Sequence, residues 1–267
     1  MHIRNAPLRC IAAAFGIIGV STAAASASSP ASGAPEPTPL PRDLEIELAL
    51  SSLPPHLRSE ATVYVLDPRT GFEQVREGTN GFHALVARTG DDAFRGSWPL
   101  TEYRDDLLYP VAFDSAGAEA ILPVFFDAAR MQAQGTPAPQ LKETIRERYA
   151  SNQYKAPERA GISYMLSPVF RSYTSPDQHD QVATVNFPHV MHYVPNVGAP
   201  DIGGAQPGSP YPFLIHPGPH AYSVQAVGDP ERQAINDEYA ALIAKLCELR
   251  TQWCLPGHDA GAAQHRH

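Results

Sequence analysis

The sequence predicts an α+β fold, a single domain with a largely antiparallel sheet packed by about four helices. Three observations carry that expectation. Apolar residues recur with a period of two in two separate groups, residues 61–87 and 162–227, the spacing of half-buried strands. Runs with helical spacing lie before, between and after those groups instead of alternating with single strands, which argues against a parallel βαβ sheet. Proline is abundant, 27 of 267 residues, roughly twice the usual share of about 5%, and favours turns and short elements.

The chain opens on Arg4 and Arg9, an apolar run of ten residues from Ile11 to Val20, and the small-residue pattern Ala25-Ser26-Ala27. Those are the parts of a signal peptide over residues 1–27, and ten apolar residues fall well short of the about 20 a spanning helix needs. The expected product is secreted or periplasmic, with no stable membrane anchoring after cleavage. The Pro-rich stretch 28–41 reads as a disordered tether and the polar segment 257–267 as an unpacked, His-containing tail, leaving one folded domain over 42–256.

Within that domain, Leu44, Ile46, Leu48, Leu50 and Leu53 precede Pro54-Pro55, which predicts a short opening helix over Asp43–Leu53. Strands are expected at Ala61–Leu66, Phe72–Arg76 and Phe82–Ala87. Asn80-Gly81 tolerates the positive φ of a tight turn, so the three runs should form an antiparallel meander. Asp114 has the side chain for an N-cap of a helix over Ala116–Gln134, with Pro123 as a restart and Gly135 as the stop. A second helix over Pro139–Asn152 turns Leu141, Ile145 and Tyr149 inward. Period two returns at Ile162–Leu166, Val182–Val185, Val190–Val194, Phe213–Ile215 and Ala221–Val227. Glu231–Leu249 then closes the domain as a helix.

Cys10 leaves with the signal peptide, so Cys247 and Cys254 remain, in a compartment where paired thiols oxidise. On one continuous helix they would stand about 10.5 Å apart, beyond the roughly 7 Å that a bridge tolerates between Cα atoms. A disulfide therefore requires the helix to end between them, and Thr251-Gln252-Trp253 can carry the turn.

Twenty basic and 28 acidic residues give a formal charge of −8, which removes the electrostatic basis for nucleic-acid binding. HExxH, Walker A and GxGxxG motifs are absent, and Phe113-Asp-Ser-Ala-Gly117 has only the second glycine of a nucleophile elbow. What remains is histidine placement: His189 and His192 in one group, His216 and His220 in another, with Asp201 as the nearest acid. Neutral imidazoles are common ligands for transition metals such as zinc, iron or copper. His189 and His220 would centre such a site, each opening a strand beside a Pro-rich loop, with Glu73 or Glu77 as a general base. On a strand His189 and His192 point to opposite faces, so a shared ion needs a bend.

A contrasting expectation comes from Tyr164, Phe187, Tyr193, Tyr211, Phe213 and Tyr222, which crowd the second strand group. They suit either the core or a small-molecule pocket. The Pro-rich loops between residues 195 and 220 offer a surface for a protein partner instead. The first expectation is thus an exported soluble domain that binds a small ligand or a partner. The alternative is a metal-dependent hydrolase or lyase built on His189 and His220.

Arg76-Glu-Gly-Thr-Asn-Gly-Phe82, Tyr164-Met-Leu-Ser-Pro168, Pro188-His-Val-Met191, Asp201-Ile-Gly203 and Pro219-His-Ala221 together form a pattern. It resembles that of a family of uncharacterised secreted bacterial proteins over about Leu48 to Val227. The resemblance implies export and no particular activity. In the family pattern His189 and His220 have counterparts, whereas other residues usually fill the places of His192 and His216.

Overall fold

The computed structural model describes residues 38–90, 103–174, 181–207 and 209–257. The expected signal peptide, the expected tether up to residue 37 and the expected tail from residue 258 lie outside the described residues. Among the described residues ten strands are formed: β1 (Thr62–Asp67), β2 (Gly71–Arg76), β3 (His83–Ala87), β4 (Tyr109–Phe113), β5 (Ile162–Met165), β6 (Phe170–Tyr173), β7 (Val182–Val185), β8 (His189–Tyr193), β9 (Phe213–Ile215) and β10 (Tyr222–Ala226). The helices are α1 (Arg42–Ser51), α2 (Pro55–Arg58), α3 (Ser115–Ala120), α4 (Leu122–Ala133), α5 (Ala138–Ala150), α6 (Asp229–Glu238) and α7 (Ala240–Leu249).

Eight strands make one sheet in the order β2-β1-β3-β4-β5-β8-β10-β9, and β6 and β7 form a separate two-stranded sheet. Its pairings are antiparallel except for β1 with β3. The α+β class with a largely antiparallel sheet is therefore the observed one. Two helices are divided more finely than the sequence suggests. The run from 116 to 134 breaks at Ile121, because Pro123 has no N–H to donate and fits only the first turn of α4; the run from 231 to 249 breaks at Tyr239.

The expected meander is corrected at β3. β1 and β2 form an antiparallel hairpin, but β3 lies on the other side of β1 and parallel to it, Thr62 beside His83 and Val63 beside Ala84. The linker from Glu77 to Phe82 thus crosses the start of β1, and Asn80-Gly81 is not a two-residue hairpin turn. The crossing is held by Thr79 N–H on Glu60 O at 2.8 Å, Asn80 Nδ2 on Leu57 O at 2.7 Å, and Phe82 N–H on Asn80 Oδ1 at 3.0 Å. Gly78 runs so close that a Cβ there would sit 2.2 Å from Thr62 N.

The pleat sorts the side chains onto two faces. On one face Val63, Ala84, Val86 and Ala112 pack with Leu44 and Leu48 of α1 and Leu242 and Leu246 of α7. On the other, Tyr64, Leu85, Val111, Phe113 and Met165 meet Leu122 and Phe125 of α4. Leu40 is buried in the first of these clusters, so packing begins before residue 42, within the stretch expected as a tether. Glu45 of α1 is fully buried. Its Oε1 accepts from Leu66 N–H at 3.1 Å and its Oε2 lies 3.4 Å from Arg88, which fixes α1 against the sheet. Burial pushes the Glu45 carboxyl up while Arg88 pulls it down. Among the described residues no helix is long and apolar enough to cross a membrane.

At the C-terminal end Arg250 leaves helical geometry, a 3₁₀ turn spans Thr251–Trp253, and Cys247 and Cys254 are joined by a disulfide with Cα atoms 4.3 Å apart. The same turn buries Trp253, whose Nε1–H donates to Asp106 O at 2.8 Å.

Two outcomes are expected. Replacing Gly78 by Ala should cost about 3 kcal/mol or more in urea unfolding, because the clash is with backbone that cannot swing aside; a loss under 1 kcal/mol would mean the crossing is loose. Cys254→Ser, which opens a short loop, should cost about 2 to 3 kcal/mol in the same measurement, with no change if the bond does not form.

Candidate functional site

The second face of the sheet is not fully filled. Between it and its cover lies a cavity of about 230 Å³. Five strands supply its floor with every other residue: Tyr109, Val111 and Phe113 of β4; Ser163 and Met165 of β5; His189, Met191 and Tyr193 of β8; Phe213 and Ile215 of β9; and Tyr222 and Val224 of β10. Ile121 and Phe125 at the start of α4, Phe170 of β6, and Phe187 and Pro207 in loops complete the wall. Among the described residues no charged side chain lines it.

Local sequence explains how this cover is held. Asp114 is the N-cap of α3 as expected, its Oδ1 accepting from Gly117 N–H at 2.9 Å. Its Oδ2 accepts from Ile162 N–H at 3.1 Å, which ties the helix to β5. Gly117 and Gly161 leave room for the Tyr193 ring, since a Cβ at either would fall 2.1 Å from its hydroxyl or 2.8 Å from its Cδ2. Tyr193 Oη and Ser163 Oγ are hydrogen-bonded to each other. That pair forms one polar point of a largely apolar chamber.

His189 forms the other polar point. It is 7% exposed, pairs across β8 with Met165 and Ala226, and packs its ring 4.8 Å from that of Phe187. Its Nδ1 lies 2.8 Å from Phe187 O. A carbonyl can only accept, so Nδ1 carries the proton and Nε2 is left with its lone pair. Burial pulls the imidazole down to about 4, against the opposing effect of the Phe187 carbonyl. The ring is therefore neutral at pH 7, an acceptor and not a cation.

The remaining histidines lie elsewhere. His192 is on the opposite face of β8 and exposed. His216 has a positive φ of 50° just past β9 and meets the Tyr222 ring edge-on at 6.1 Å. His220 stands edge-on to Tyr149 of α5 at 5.0 Å. Asp201 is exposed, and its Oδ2 accepts from Gly198 N–H at 2.8 Å within a 3₁₀ turn. The expected convergence of His189 and His220 with these residues is not what their neighbours show. Among the described residues no group of three or more His, Cys, Asp or Glu could hold a metal ion. Glu73 and Glu77 are exposed at the β2 edge of the sheet. β2 lies five strands from β8, roughly 24 Å away, out of reach of His189.

Of the aromatic residues singled out in the sequence, Phe187, Tyr193, Phe213 and Tyr222 do line the cavity. Tyr164 faces the other side beside Phe82, and Tyr211 is 70% exposed. The contributions of β4 and β6 were not expected. Tyr109, Val111 and Phe113 alternate as a strand should, but Pro110 between them reads as a strand breaker. It is tolerated because β5 pairs with β4 only at Ala112 and Phe113. Comparison with protein-family models, with curated proteins and with solved structures finds no match to this chain.

The buried imidazole makes stability pH-dependent in a defined direction. The unfolded chain takes up a proton at His189 near pH 6.5, the folded chain only near pH 4, so stability falls as pH drops through that window. Wild type should lose about 3 kcal/mol more than His189→Gln between pH 7 and pH 4, read from urea midpoints. Parallel pH profiles would show the ring to be solvated.

Proposed function

We propose that the protein is an exported domain that binds a small, uncharged, largely apolar molecule in the cavity under its sheet. One observation carries this reading: a chamber of about 230 Å³ with aromatic and aliphatic walls and very few polar groups. An engineered cavity of about 150 Å³ with such walls stays dry and accepts benzene, so this one holds a substituted ring or a comparable hydrocarbon. A hole of that size left empty costs on the order of 5 kcal/mol in lost packing, at roughly 24 cal/mol per Å³. A ligand recovers part of it.

The electrostatics support binding over turnover. A general base works best with a pKa near the working pH, whereas the His189 ring is held down at about 4. Export is supported by the residue pattern of positions 1–27 and by the Cys247–Cys254 disulfide, a bond characteristic of oxidising compartments.

Thermal unfolding in the presence of toluene or p-cresol tests the reading, because a ligand that prefers the folded state raises the melting temperature. At ten times Kd the rise should be about 3 °C or more. Val224→Phe, which puts a ring into the cavity, should abolish it while leaving the protein folded. No rise with either probe would reject the proposal.

A further inference from the structure

The polar groups in the chamber are few enough to narrow the chemistry of its occupant. Given the ligand-binding reading above, we propose that the cavity takes a neutral phenol, a single aromatic ring whose hydroxyl donates a hydrogen bond to His189 Nε2. The tautomer is the starting point. Nδ1 is committed to the Phe187 carbonyl at 2.8 Å, so the ring's second nitrogen can only accept. No side chain or backbone group among the described residues is recorded as donating to it, although the residue is more than nine-tenths buried. An acceptor on the wall of such a chamber is open to a donor from an occupant, and this one belongs to a ring that lines the cavity.

The rest of the lining excludes other classes of ligand. With no Lys or Arg on the wall among the described residues, a carboxylate or phosphate would be stripped of water with nothing to replace it. With no Asp or Glu there, an ammonium ion fares no better. At the far end Ser163 and Tyr193 hydrogen-bond to one another, with Tyr193 four residues along β8 from His189, roughly 13 Å at 3.3 Å per residue. The acceptor fixed by the tautomer is at the Phe187 end, and the phenol hydroxyl is placed there.

The shape of the wall favours a ring over an aliphatic chain. Tyr109 and Phe170 meet edge-on with centroids 4.4 Å apart, and Phe113 and Phe125 pack at 5.6 Å. A planar guest extends such a cluster by edge-to-face contacts. Met165 and Met191 share the chamber with His189, and thioether sulfur packs well against aromatic edges.

Isosteric probes on the intact mature protein test this by titration calorimetry. p-Cresol should bind at least about tenfold more tightly than toluene, which lacks the hydroxyl, and than 4-methylanisole, whose oxygen cannot donate. His189→Leu should erase that preference by weakening p-cresol alone, and His189→Gln, which restores an acceptor, should recover part of it. If His189→Leu does not fold, the ¹⁵N resonance of Nε2 in wild type reports directly, shifting with p-cresol and staying put with toluene. Equal affinity for p-cresol, toluene and 4-methylanisole would overturn the phenol assignment while leaving the apolar-ligand reading intact. Binding by none of the three would overturn both.

Discussion

The pleat of a single eight-stranded sheet governs the whole molecule. Each strand sends alternate side chains to opposite sides, so one continuous surface has to be covered twice, by different elements with different success. On one side α1 and α7 run against small and branched residues, Val63, Ala84, Val86 and Ala112, and bury them completely. On the other the strands from β4 to β9 carry larger side chains, and the cover is assembled from the start of α4, β6 and two loops. A patchwork roof over bulky rings leaves space that a close-fitting helix would not. The cavity follows from that asymmetry.

His189 shows how little is needed to give such a space chemical character. One hydrogen bond to a carbonyl two residues away sets the tautomer, and burial sets the charge state. A residue type prized for catalysis and metal binding becomes a fixed, neutral acceptor. The same side chain on the opposite face of the same strand, His192, stands in solvent and has no such role.

The sequence made local periodicity legible, and that was enough for the fold class. Val182–Val185 and Phe213–Ile215 appear with the bounds their apolar patterns suggest, and Asp114 caps the helix that its side chain suits. What it did not reveal is adjacency between distant segments. The neighbour of β1 depends on how the chain crosses at Gly78, and no local propensity records that the crossing goes over the strand instead of back along it. The histidines misled for a related reason. His216 and His220 are close in sequence, but their partners are Tyr222 and Tyr149, the latter on a helix much earlier in the chain. His189 earned attention as a metal ligand, while the property that distinguishes it, a carbonyl beside Nδ1 in an apolar wall, exists only once β5, β8 and β10 are assembled.

The cluster that unites Leu44 and Leu48 with Leu242, Leu246, Trp253 and Leu255 joins the first helix of the described chain to its last turn. During synthesis α1 thus waits, its greasy stripe uncovered, until α7 and the turn after it have been translated. Termination before Leu242 removes the lid from that layer, so such truncated products are expected to be substrates for chaperones and proteases and not functional fragments.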